Sequence, residues 1–192
     1  MRDLTELDIL IVPGRDNSGA EHWQTYWQKA FPKFRRVEQD DWVAPTYADW
    51  SRNLDAAVHA CKKPVVLVAH SLGTILITRW AQTAATHNVL GAFLVATSDV
   101  DEIIKTEGDS RLHGFAPVVL QSLPFASMVV ASRNDERVTF ERAKLFAQAW
   151  GSHFVDGGEL GHIGSRAKLG YWPQGLVWFG QFIATITASA KI

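Results

Sequence analysis

Short runs of apolar residues alternate along this chain with longer stretches in which apolar side chains recur every three or four positions. Asp8–Val12 is a run of the first kind, stopped by Pro13-Gly14, and reads as a strand. Trp23, Tyr26, Trp27 and Ala30 then share one helical face, so the spacing predicts a helix over Ala20–Phe31, ended by Pro32. Arg35–Glu38 is a weaker strand candidate. Trp50, Leu54, Val58 and Cys61 mark a second amphipathic helix over Tyr47–Cys61. Val65–Ala69 is apolar at every position, the pattern of a strand covered on both faces in a parallel sheet.

A helix is expected at Leu72–Thr86, and strands at Val89–Ala96 and Ala126–Ala131. Thr139–Trp150 reads as a helix closed by Gly151, Ser152–Val155 as the last strand, and Pro173 as the start of a final helix to about Thr187. Strands alternating with helices predict an α/β fold with a doubly wound, mainly parallel sheet. Thr97–Pro124 breaks the alternation and reads as a loop bordering a ligand site, too short for a large lid.

The polar positions that interrupt this pattern carry the chemistry. Val65–Ala69 runs directly into His70-Ser71-Leu72-Gly73, a near match to the G-x-S-x-G turn with alanine at the first glycine. Such a strand-to-helix turn projects the serine oxygen and aims the amide after it at a developing oxyanion. Serine needs a base and the base an orienting acid, expected in the chain order serine, acid, histidine. Asp135 follows the strand Ala126–Ala131, with Glu136 as the runner-up acid. His162 ends the glycine-rich loop after the last strand. His70 reads as structural, because its side chain should point away from the oxyanion side. The backbone N–H groups of Leu72 and Arg15 are the expected oxyanion donors, with Asp16 or Asn17 as alternatives to Arg15.

Composition narrows the classes. A length of 192 residues fits one domain spanning 1–192. Net charge is −1, which gives no general attraction to nucleic acid or to an anionic membrane. One cysteine, Cys61, leaves no internal disulfide and fits a reducing compartment. The N-terminal stretch carries Asp3, Glu6 and Asp8 around a short apolar run, unlike a secretory leader, so the expectation is a cytoplasmic protein. Eight tryptophans are many for this length; most should fill the core, while Trp42, Trp50 and Phe115 are candidates for an apolar pocket wall.

Taken together, A-H-S-L-G, V-P-G-x-x-x-S-G-x-x-H-W-Q-x-x-W, Trp42-x-x-Pro45-x-x-x-x-Trp50, A-S-R-N-D and G-G-x-x-G-H-I-G resemble the small YdeN-type serine hydrolases. This family lies in the α/β-hydrolase superfamily and includes the retinoblastoma-binding serine hydrolase. The resemblance covers nearly the whole chain. It implies a minimal α/β-hydrolase with little or no cap domain and a triad at Ser71, Asp135 and His162. It also implies hydrolysis of esters, thioesters or amides, and no metal or organic cofactor. The short loop over the site predicts an open cleft favouring small or short-chain acyl groups. A retinoblastoma-type partner is not carried over, since no partner motif stands in this chain. Rival readings are an amide or peptide hydrolase with the same residues, and a non-catalytic α/β-hydrolase binding module. A haloalkane- or epoxide-type hydrolase would need a carboxylate where Ser71 stands.

Overall fold

The computed structural model describes residues 6–189, so the outermost residues of the 1–192 domain expectation lie outside it. Six strands form one parallel sheet: β1 (Asp8–Val12), β2 (Phe34–Arg36), β3 (Val65–His70), β4 (Val89–Val95), β5 (Ala126–Ala131) and β6 (His153–Asp156). Their order is β2-β1-β3-β4-β5-β6, with every neighbouring pair parallel. The helices are α1 (Trp23–Ala30), α2 (Tyr47–His59), α3 (Leu72–Trp80), α4 (Val100–Glu107), α5 (Phe140–Trp150) and α6 (Pro173–Ser189).

Strand alternation divides the core into two layers. Leu10, Val12, Leu67, Ala69, Leu94 and Val129 face α2, α3 and α5, whereas Ile9, Ile11, Val66, Val68, Phe93 and Val130 face α1 and α6. Both faces of the central strands are therefore covered, which is why β3 is apolar along its length. The chain leaves β1 toward β2 on one side and returns through β3 to build the other side. Strand order thus reverses between β1 and β3, the place where open α/β sheets hold ligands beyond their strand ends.

Several boundaries differ from the sequence expectation. The helix expected at Ala20–Phe31 starts at Trp23, because the His22 side chain accepts the Gln24 amide and caps it. The helix expected to reach Thr86 stops at Trp80 with Ala81 as its cap, where the buried apolar pattern gives way to Gln82, Thr83 and Ala84. The segment expected to be a loop contains α4, capped by Asp99 and closed by Gly108 at φ 66°, and a 3-10 turn at Ser110–Phe115.

The tryptophans settle mostly in the core. Trp23, Trp27, Trp50, Trp80, Trp150 and Trp172 are buried. Five indole N–H groups also fasten the chain: Trp23 donates to Ile163 O at 2.9 Å, Trp27 to Tyr171 O, Trp50 to Asp41 O, Trp80 to Asp55 and Trp150 to Val119 O. Among the described residues no helix is long and apolar enough to cross a membrane.

Candidate active site

Ser71 sits between β3 and α3 at φ 55° and ψ −126°, a region that non-glycine residues rarely occupy. The turn holds because its surroundings leave no other path. Ser71 N–H donates to Val95 O across the sheet, and Thr74 Oγ1 donates back to Ser71 O. A Cβ at Gly73 would stand 2.4 Å from Val12 O, and one at Gly14 would stand 2.7 Å from Ser71 Cβ. Glycine at both positions lets the loop after β1 lie directly against the Ser71 turn. Ala69, the departure from the G-x-S-x-G pattern, is fully buried in register with Val12 and Leu94, so its methyl group packs without displacing the turn.

The loop after β6 carries His162 and is tied down at four points. Leu160 N–H donates to Ser132 Oγ, Gly161 N–H to Asn134 Oδ1, His70 Nε2 to His162 O at 2.8 Å, and Trp23 Nε1 to Ile163 O. Ser132 and Asn134 come from the loop after β5, which also carries Asp135. The two loops therefore interlock. His162 Nδ1 lies 2.9 Å from both Asp135 oxygens, and His162 Nε2 lies 2.7 Å from Ser71 Oγ. The carboxylate side chain is fully buried and takes a second hydrogen bond from Arg137 N–H. Because a carboxylate only accepts, the ring proton sits on Nδ1 and Nε2 is left to accept from the Ser71 hydroxyl.

His70 turns away from the serine oxygen, as expected, and packs edge-on against His22 with ring centroids 4.6 Å apart. Burial, with His22 and His162 nearby, pushes the His70 pKa well below its ordinary value, so it stays neutral. Its hydrogen bond to the His162 carbonyl means that two consecutive residues hold the histidine, one by its backbone and one by its side chain.

On the other side of Ser71 lie the expected oxyanion donors. Leu72 is the first residue of α3, so its N–H has no partner within the helix. Asp16 N–H donates to Trp42 O and Asn17 N–H to Gly14 O, which takes both alternatives out of play and favours Arg15. The Arg15 guanidinium is paired with Asp109, whose carboxyl Arg111 also grips at 2.7 and 2.8 Å. These contacts, the Arg111 hydrogen bonds foremost, hold Asp109 well below the usual carboxylate range.

Around these groups opens a cavity of about 690 Å³. Its lining includes Ser71, His162, Leu72 and Arg15, but not Trp42, Trp50 or Phe115. Those three pack on one another instead, Trp42 against Trp50 at 5.5 Å and Trp50 against Phe115 at 5.7 Å. Trp50 and Phe115 are buried in the layer beneath α2 and α3, so the expectation that they wall a pocket is corrected. Apolar wall comes from Leu72, Ile103, Leu112 and Leu160. Asp135 is close to His162 without lining the cavity, and Glu136 lines it without reaching the histidine.

Two residues at the site escaped the sequence reading. Ser98, just after β4, lies 3.1 Å from Ser71 Oγ. Since the Ser71 hydroxyl points at His162, Ser98 is the donor in that pair. A polar residue at the end of the strand beside β3 was the available signal, but strand order is needed to use it. His22, which the sequence places within the helix expected at Ala20–Phe31 with nothing to mark it, lines the cavity wall.

The serine hydrolase family model matches residues 9–181 of this chain. The chain belongs to the serine hydrolase family. Within it, the protein is similar to a YdeN-like hydrolase of Pectobacterium atrosepticum, at 32% identity and a TM-score of 0.82, covering 95% of this chain and 93% of the other. The ydeN product of Bacillus subtilis is similar at 20% identity and a TM-score of 0.77, covering 93% and 99%. Est1E of Butyrivibrio proteoclasticus, in a structure with ferulic acid bound, shares the fold at 14% identity and a TM-score of 0.73, covering 93% and 89%. A search of curated proteins finds no match. The protein is thus a YdeN-type serine hydrolase of the α/β-hydrolase superfamily, and an enzyme.

Proposed function

We propose that this serine hydrolase cleaves small ester or thioester substrates through an acyl-enzyme on Ser71. The observation that carries the reading is the unbroken hydrogen-bonded line from Asp135 through His162 to Ser71, with spacings of 2.9 and 2.7 Å. Ser71 Oγ attacks the acyl carbon while its proton passes to His162 Nε2, and Asp135 keeps the imidazole oriented and stabilises its cationic form. The backbone N–H groups of Leu72 and Arg15 receive the oxyanion, each donor of this kind being worth about 3 kcal/mol. Collapse expels the alcohol or thiol, which takes the proton from His162. A water then gives its proton to His162, attacks the acyl carbon and releases the acid, and Ser71 regains its proton.

Ser98 donates to the Ser71 oxygen and so supports the negative charge that grows there as the proton leaves. The apolar wall at Ile103 and Leu112 suits a short acyl chain. No metal or organic cofactor has a step in this scheme.

The test is labelling with a fluorophosphonate probe, read by intact mass, alongside hydrolysis of p-nitrophenyl butyrate. Wild type should label at one site and turn over the ester, Ser71→Ala should do neither, and His162→Ala should label far more slowly. A folded wild type that neither labels nor turns over ester would overturn the proposal.

A further inference from the structure

Among the described residues, one buried side-chain polar atom lacks a hydrogen-bond partner: His22 Nε2. Gln24 N–H donates to His22 Nδ1 at 3.1 Å, so Nδ1 carries no proton and the neutral ring holds its proton on Nε2. Burial, helped by the Arg36 guanidinium, lowers the His22 pKa to about 3 and keeps the ring neutral. His22 is 4% exposed. A buried donor left unpaired costs roughly 1–3 kcal/mol, so such groups in folded proteins ordinarily face something that accepts.

What it faces is the cavity wall opposite Gly164, two residues beyond His162. A Cβ at Gly164 would stand 3.9 Å from His22 Nε2 and 3.7 Å from His70 Cε1, ordinary contact distances. Glycine at 164 therefore puts no side chain between the His22 ring and the cavity. His22, Gly164 and Ser165 line the same cavity as Ser71, on the side that carries His162. Because His162 returns its proton to the departing group, that side belongs to the leaving group rather than to the acyl chain.

Charge narrows the ligand further. Asp16, Glu136 and Glu159 line the cavity together with Arg15, Arg137 and Arg166. Arg15 is already paired with Asp109 and Asp16, and Arg137 with Glu107, which leaves Glu136 and Glu159 against Arg166 in the lining. The charge left over leans negative and does not favour an anionic group. We propose that His22 Nε2 binds an uncharged oxygen on the leaving group, so that the enzyme prefers esters whose alcohol carries a second hydroxyl, ether or carbonyl oxygen. This rests on the hydrolase reading above.

The test compares 2-methoxyethyl butyrate with n-butyl butyrate, which differ by one oxygen in place of a methylene, by titrating the acid released. The ratio of their kcat/KM values on one enzyme cancels damage shared by both substrates. Serine still caps α1 but is too short to place its hydroxyl where Nε2 stands, so His22→Ser removes the donor and keeps the cap. His22→Phe keeps the ring and loses the donor, and serves if the first variant does not fold. Wild type should favour the ether ester, and either variant should lower the ratio about three- to tenfold, the worth of one neutral hydrogen bond. An unchanged ratio would mean that an internal water serves Nε2 and would overturn the proposal, as would a labelled enzyme that turns over neither ester. Fluorophosphonate labelling of the same samples separates the cases. Labelling with an unchanged ratio sinks the leaving-group site alone, and absence of labelling in folded wild type sinks the hydrolase reading.

Discussion

Replacing Gly73 by alanine probes how tightly the loop after β1 is pressed onto the Ser71 turn. The added Cβ would meet Val12 O at 2.4 Å and Pro13 O at 2.6 Å, where ordinary contact begins at 3.4 Å, so about 1 Å of movement is needed. Both atoms are backbone, and Val12 is held in register against Ala69, so no flexible side-chain tip can absorb the shift. The movement passes along Pro13 and Gly14 to the Arg15 amide. Alanine gains about 1 kcal/mol over glycine in a helix, while overpacking costs about 1–3 kcal/mol, leaving a net loss of about 0–2 kcal/mol. At about 2–4 °C per kcal/mol for a chain of this size, the melting temperature should fall by no more than about 8 °C. Activity should suffer more, because a reacting group misplaced by about 1 Å can cost on the order of a hundredfold. Gly73→Ala should therefore stay folded, with kcat on p-nitrophenyl butyrate down about a hundredfold. Gly19→Ala, with nothing within 4 Å of the new methyl group, is the control in the same loop and should change neither quantity. A Gly73→Ala enzyme with kcat within about twofold of wild type would refute the account of how the oxyanion donors are placed.

Asp135→Asn should keep the fold and lower kcat by about four orders of magnitude, since the amide holds the imidazole in the wrong tautomer; pH–rate profiles and melting curves check both halves. His70→Phe removes the donor to the His162 carbonyl, and kcat should fall while KM stays put, as steady-state kinetics will read. Neutral His22 has its pKa lowered to about 3 in the folded state, so its share of stability is full above about pH 6.5 and lost as pH falls toward 3. Thermal melts from pH 7 to 4 should decline less steeply for His22→Ser than for wild type, and parallel declines would contradict that assignment. Asp109 is held below the usual carboxylate range, so its contribution is present above about pH 4 and lost only in stronger acid. Asp109→Asn should accordingly lower the melting temperature at neutral pH and narrow its gap to wild type in acid.

The strands and the line from Ser71 to Asp135 were legible because burial imposes period and order. A central strand must be apolar throughout, and each polar residue that follows one lands at the same edge of the sheet. Asp135 and His162 could be picked out because they also stand in the order serine, acid, histidine that the chemistry asks for, with Glu136 left as the rival acid. α4 was missed because Asp101, Glu102, Lys105 and Glu107 hide two buried positions, Val100 and Ile103. Its cap, with Asp99 accepting from Glu102 N–H, and its closing Gly108 stood in the sequence all the same. Ser98 and His22 depend on which strands are neighbours and on where a loop folds back, and neither fact has a local signature. Trp42, Trp50 and Phe115 were misplaced because apolar spacing marks a buried face without saying whether helix or ligand covers it.

The indole N–H that holds Ile163 O belongs to Trp23, whose ring lies 5.5 Å from His22 and 6.3 Å from His70. The chromophore is thereby wired to the backbone one residue past His162 and flanked by two imidazoles of the same wall. It is one of eight tryptophans and packs 4.7 Å from Trp27 and 5.1 Å from Trp172, so the difference between wild type and Trp23→Phe isolates its share of the emission, which will register a shift of that loop with no dye attached. Substrate entry can then be timed in a stopped-flow instrument from the protein's own light.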